Sequence, residues 1–435
     1  MRFASVKRAV ALVLGVGFSM AAGSAGAQES GIEAAREQAK AAPTSGEASL
    51  AYGRALRRAG READAVVELR RGLAAGGAKG ELAGRLEWEI SRAHIARREF
   101  EPAMTSCRSM AKVAADASHV CAAEAHLLWR RGTEAEAEVA QAAKASRGAS
   151  SPDVQYFAKV ALGRAQELAS KDSDAEASYR EAVRIAEARP DAHVLLGLVL
   201  NRTGKDGMPS LQKAVLVDAT DPIAQLALGR ALPSGSRESI AALERSVAQR
   251  PTSTDALRAL AEGYVTANRL PDAKRTVAAV LKLAPNDVST HVVAGRLALA
   301  DGKADDAIKE GEAAAKLMPN VQPARLLVAD AWAKKGEIDL AVEAYQAAFG
   351  LDHSDPTPLV NASAACLAAG RVTSAKAFGV RATKDFGSNG AAWTALGDAL
   401  AADRDVPGAK AAYETAKKAR GADAAALDRK LSRLE

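Results

Sequence analysis

The sequence predicts an all-α fold built as an α-α superhelical solenoid of about eleven stacked helix pairs. Three observations predict it. Helix-forming Ala, Leu, Arg, Glu and Lys dominate a chain of 435 residues in which aromatics make up only 4%, a composition that favours helices in close contact. Alternating β-branched or aromatic runs, the mark of a sheet, are missing. The chain also repeats itself. Ala273, Ala307, Ala341, Ala375 and Ala409 are successive steps of 34, and Pro251, Pro285, Pro319 and Gly302, Gly336, Gly370 keep the same step. An alanine-rich chain produces some alanine coincidences. Three residue types in one register are a repeat, which replaces the two or three separate domains this length would otherwise suggest.

The first residues are a separate object. Arg2, Lys7 and Arg8 make a basic start, Ala9 to Ala22 is an apolar run, and Ala25-Gly26-Ala27 offers small residues for cleavage before Gln28. This predicts a secretory signal peptide over 1–27, too short in its apolar part to span a bilayer comfortably. No cysteine lies near the junction, which disfavours a lipid anchor, and no second hydrophobic segment follows. An exported chain, periplasmic or secreted and without a membrane span after cleavage, is expected. The whole sequence has 59 basic and 53 acidic residues. Three of the basic and none of the acidic belong to the peptide, so the mature chain is close to neutral and carries no case for nucleic acid.

Residues 28–45 read as an N-terminal helical segment, 46–423 as the repeat array and 424–435 as a capping helix whose charges Asp428, Arg429, Lys430 and Arg433 solvate the open end. In the last repeat, Ala391–Ala401 and Val406–Ala419 are the two helices, broken by Asp403-Arg404-Asp405. Trp393, Leu396, Gly397 and Leu400 share one helical face, as do Ala409, Tyr413 and Ala416. Gly397 and Ala409 let the backbones approach, and Trp393 and Tyr413 fill the space around them.

Trp393-x2-Leu396-Gly397-x2-Leu400 followed by Ala409-x3-Tyr413 resembles the tetratricopeptide repeat signature, with Leu400 where that signature has Tyr. The skeleton returns as Gly163 with Ala175-x3-Tyr179, as Ala341-x3-Tyr345, and as Gly295 with Ala307 and Pro319. Tyr52-Gly53 with Ala65 marks the first unit, Gly197 and Gly229 the fifth and sixth, and Ala273, Pro285 and Ala375 the strict later register. Units are expected to begin near 46, 84, 118, 156, 190, 222, 254, 288, 322, 356 and 390. Those from 190 and 222 are two residues short, placed here at the inter-helix turn. The tenth, with Ala362-Ser363 and Gly379 in place of Leu-Gly and an aromatic, is expected to be a soft joint.

The resemblance implies protein binding on an inner wall lined by first helices, and an array of this kind needs no cofactor. The residue after the small one would face that wall. Arg54, Arg92, His126, Arg164, Arg230 and Arg296 hold the place, and Arg57, Arg58, Trp88 and Trp129 join by helical spacing. The later wall offers Val292, Leu299, Leu326, Val360 and Leu367. A basic groove would receive an acidic or extended segment through arginine forks. Alternatively, these arginines pair with glutamates on adjacent helices.

Walker loops, HExxH, paired CxxC and GxSxG are absent, so no catalysis is expected. Glu134, Glu136 and Glu138 read as a solvated helix face. Cys107 and Cys121 either form a disulfide, which export permits, or are small buried hydrophobes like Cys366. His119, Cys121 and His126 with Cys107 fit no standard zinc spacing, and no metal is expected. The expected function is an envelope scaffold or adaptor for proteins, with an accessory for export of an anionic polysaccharide as the alternative.

Overall fold

The computed structural model describes residues 21–75, 78–129, 132–148, 152–421 and 423–434, so most of the expected export signal lies outside it. A leading helix α1 (Ala21–Ala41) precedes the pairs. Pairs one to four are α2 (Gly46–Arg58) with α3 (Glu62–Ala74), α4 (Gly80–Ala96) with α5 (Phe100–Met110), α6 (Ala115–Trp129) with α7 (Gly132–Gly148), and α8 (Pro152–Leu168) with α9 (Asp172–Ile185). Pairs five and six are α10 (Pro190–Arg202) with α11 (Met208–Val217), and α12 (Pro222–Ala231) with α13 (Arg237–Gln249). Next come α14 (Thr254–Thr266), α15 (Leu270–Leu283), and α16 (Val288–Ala300) with α17 (Ala304–Leu317). The last are α18 (Gln322–Lys335) with α19 (Ile338–Leu351), α20 (Thr357–Ala368) with α21 (Val372–Asp385), α22 (Gly390–Ala402) with α23 (Val406–Lys418), and the cap α24 (Ala424–Ser432). The chain forms two compact units, Met1–Gly263 and Tyr264–Glu435, each an α–α solenoid.

Local chemistry sets these helices. Ser45, Asp221, Ser236, Asp287, Asn389 and Asp423 cap N-termini by accepting backbone N–H groups. Between the helices of a pair, one residue turns left-handed: Gly302, Gly336 and Gly370 at φ 79°, 83° and 73°. Asn268 and Arg404 occupy the same 34-step place at 56° and 64°, Arg404 despite its side chain.

Close approach follows from the small residues. A Cβ added at Gly163 would lie 2.4 Å from the Tyr179 ring, and one at Gly397 would lie 2.5 Å from Tyr413. In the eighth pair Gly311 stands where the aromatic would be, and Leu327 of the next pair fills the space, 2.2 Å from a Cβ built at Gly295. Each of Ala65, Ala175, Ala273, Ala307, Ala341, Ala375 and Ala409 is fully buried. Ala341→Leu should therefore overpack the helix contact and cost about 1–3 kcal/mol, read as a lower urea midpoint. An unchanged midpoint would mean that the register is wrong.

Three expectations are corrected. First helices begin within a residue of the expected starts in pairs one and five to eleven, but at Gly80, Ala115 and Pro152 in pairs two to four, three or four residues early. The two missing residues of pairs five and six come out of helix, leaving α11 and α12 at 10 residues each, while the turns lengthen. The tenth pair is tightly joined. Ser363 Oγ donates to the Ala375 carbonyl at 2.8 Å, and Gly379 brings α21 onto the backbone of α22, where a Cβ would lie 2.9 Å from Leu396 Cα. At the end, α24 buries Leu427 against Tyr413 and covers the last pair.

Candidate functional site

The inner-wall arginines of the first unit face carboxylates one repeat away. Glu89 on α4 is buried and accepts from Arg54 Nε at 2.8 Å and from Arg57 Nη1. Burial alone would push the Glu89 carboxyl up; Arg57, Arg92 and Arg54 outweigh it and hold the group below its usual range. Arg164 on α8 lies 3.3 Å from Glu124 on α6. Arg92 is desolvated, yet the Glu124, Glu89 and Asp191 carboxylates hold it charged. So Arg54, Arg57, Arg92 and Arg164 are struts facing carboxylates rather than free groove cations, with the Arg54 side chain still 42% exposed. The expected open basic groove is filled here by its own counter-charges.

Aromatic rings complete the filling. Trp88 of pair two meets Phe157 of pair four with centroids 4.7 Å apart, so the wall curves tightly enough to touch itself across pair three. The Arg92 guanidinium lies over Phe157 at 5.6 Å, and that of Arg189 sits 4.7 Å from both Tyr156 and Phe157. The Tyr156 hydroxyl donates to Asp191, and burial with that carboxylate pushes the phenol pKa up. Trp129 stacks on Phe100 at 5.5 Å and on the buried His126 at 6.3 Å. Neither Trp88 nor Trp129 stands as a free platform.

The first unit also closes end to end. Helix α13 packs on α1, and Arg250, just beyond α13, reaches the end of α2. Arg250 Nη2 donates to the Arg57 carbonyl at 3.2 Å and lies 3.7 Å from Glu62 Oε1, across 193 residues of sequence in the first contact. A guanidinium on the last carbonyls of a helix meets the negative end of its dipole. Arg250→Ala should cost about 1.5–3 kcal/mol and speed hydrogen exchange at residues 57–62; unchanged exchange there would show that the closure is not energetically coupled.

The remaining candidates fall elsewhere. Arg58 is exposed; its carbonyl takes Arg250 Nε at 3.5 Å. Arg230, with Arg258 and Glu262, lines a cavity of about 270 Å³ and shares Asp255 with Arg258, leaving no excess positive charge. In the second unit Arg296 is exposed, but the same register place is then taken by Asp330 and Asp398. Those accept from the Tyr345 and Tyr413 hydroxyls at 2.6 and 2.7 Å. Val292 is buried, and Leu299, Leu326, Val360 and Leu367 pack into core clusters, so they are not an open apolar wall.

The cysteine question closes on the disulfide: Cys107 on α5 is bonded to Cys121 on α6, with the Ser91 hydroxyl 3.3 and 3.2 Å from the two sulfurs. Ser91 and Cys107 hold the places that Gly397 and Tyr413 hold in the last pair, so the bridge stands where a ring-on-glycine contact would be. His119 Nδ1 is 2.9 Å from Glu138, and Cys366 is a buried free thiol. Among the described residues no group of His, Cys, Asp and Glu is placed to hold a metal ion.

Sequence reasoning missed Glu89, Glu124, Arg189 and Arg250. A signal existed for the first: Arg54 and Glu89 are 35 residues apart, as are Tyr156 and Asp191, one repeat plus one.

No family model matches the chain. No curated protein matches it. Among solved structures it is similar to yeast Tom70, at 12% identity and a TM-score of 0.47 over 89% of this chain and 95% of that one. It is similar also to the Cut9-Hcn1 hetero-tetramer of the APC/C, at 13% and 0.44 over 89% and 83%. A third is a tetratricopeptide repeat protein from Parabacteroides merdae, at 14% and 0.44 over 64% and 98%. Its own helix pairs and their 34-residue register make the chain an all-α repeat array whose units resemble the tetratricopeptide repeat.

Proposed function

We propose that the protein is a non-catalytic scaffold of the cell envelope that holds protein partners outside the sealed wall of its first unit. The observation that carries this reading is the regular array itself, which brings equivalent side chains to the surface once per repeat. Two features support the envelope. The first 27 residues have the grammar of an export signal, and the Cys107–Cys121 bridge belongs to an oxidising compartment. The alternative of anionic polysaccharide relied on Arg54 and Arg92 as sugar ligands; both are committed to carboxylates, which disfavours it.

The test is photo-crosslinking in intact cells from single exposed positions, Val67 in the first unit and Leu317 in the second. Discrete, reproducible envelope proteins linked to Leu317 are expected. Crosslinks to no protein from either position, with an acidic polysaccharide raising the melting temperature, would replace the scaffold with glycan binding.

A further inference from the structure

Helices α15, α17, α19, α21 and α23 end at equivalent places in consecutive repeats of the second unit. One step before the end of the first four stand Lys282, Lys316, Gly350 and Lys384, and Lys418 follows in the fifth, all at 34-residue spacing. The four lysines are exposed, and none makes an ion pair or a side-chain hydrogen bond. Glu312 and Glu414, one turn earlier, do not pair with them. Other basic groups of this unit behave differently: Lys274, Lys335, Lys376 and Lys430 each hold an aspartate. Beside the row, Leu283, Leu317 and Leu351 keep the same step and remain 46%, 43% and 38% exposed.

A lysine near a helix C-terminus complements the dipole, which explains each one singly. It does not explain three exposed leucines in the same register, which gain nothing from the dipole and cost hydration. We infer that this edge of second-helix ends is a docking line for an acidic protein segment that carries apolar side chains. Unpaired ammonium groups select the acid, and the leucine row selects apolar side chains, which a polysaccharide lacks. The inference rests on the protein-binding reading above and names the chemistry of the partner.

The full chain, oxidised, is titrated against a labelled peptide alternating glutamate and leucine, with polyglutamate of equal length and polygalacturonate as comparison probes. The wild type should bind the alternating peptide more tightly than either. Replacing Lys282→Gln, Lys316→Gln, Lys384→Gln and Lys418→Gln together should weaken it roughly tenfold or more, with the helical melt unchanged because all four are exposed. Leu283→Ser, Leu317→Ser and Leu351→Ser together should bring the peptide down to the affinity of polyglutamate. Equal binding by the lysine variant, or wild-type binding of polygalacturonate or polyglutamate as tight as the peptide, overturns the docking line. If that happens while envelope crosslinks from Val67 in the first unit persist, the scaffold stands and only this surface fails; if those crosslinks are also absent, both fail.

Discussion

Replacing Glu89 by alanine is expected to destabilise the first unit by about 3–5 kcal/mol, the largest effect of any single change considered, because it strands charges that burial has removed from water. Arg57 is half-buried and pushed below its usual value by desolvation and by Arg92; its guanidinium stays charged, and without Glu89 it keeps Glu62 as its buried counter-charge. Urea unfolding should show the loss in the transition of Met1–Gly263, with that of Tyr264–Glu435 unmoved. A single shared transition that shifts by less than about 1 kcal/mol would mean the cluster is solvated like any surface pair.

The same cluster sets a pH signature. Glu89 is held below the ordinary value of 4.5, so its stabilising effect is complete above that value and is lost as pH falls through the lower, folded one. Glu62 is pushed up by burial, against Arg57 and Arg250, so its cost is present at neutral pH and is relieved as it protonates above 4.5. Stability of the first unit should hold or rise slightly on acidification towards 4.5 and drop below it. Glu62→Gln should remove the upper limb and Glu89→Gln the lower. A profile falling monotonically from neutral pH would contradict the assignment.

Reduction of the Cys107–Cys121 bridge is expected to cost about 3 kcal/mol, the loop-entropy value for a separation of 14 residues. The effect should be local to the second and third pairs, where the bridge fills the place of a ring-on-glycine contact, and Cys107→Ser should reproduce it. A control with Cys366→Ala should keep the sensitivity to reductant, since that thiol is free and packed against Ile338 and Ala375. Equal melting with and without reductant would show that the bridge adds nothing beyond packing.

The second unit was legible almost residue by residue because its evidence is local. The 34-step alanines and glycines fix the helix contact and the left-handed turn, so Val288, Gln322, Thr357 and Gly390 begin helices within a residue of expectation. Pairs two to four start early because their first helices are longer, 17, 15 and 17 residues, and extend at the N-terminus. In pairs two and three Ser91 and Ala125 also replace the glycine, whereas pair four keeps Gly163 and Tyr179. The basic groove failed for another reason. A sequence shows which side chains share a helix face, but not that a wall curls until Trp88 touches Phe157, nor that Arg250 returns to Arg57. Curvature belongs to the sum of many small helix–helix angles. The adjacent-repeat pair Arg54–Glu89 follows a 35-residue step that a sequence can show, whereas the contact of Trp88 with Phe157 does not.

Residue-resolved arginine labelling of the native protein by a dicarbonyl reagent, read by mass spectrometry, tests the central claim directly. Arg57 and Arg92, locked inside the first unit, should react far more slowly than their exposed neighbour Arg58. Labelling of Arg57 and Arg92 as fast as Arg58 would show an open basic wall and contradict the account.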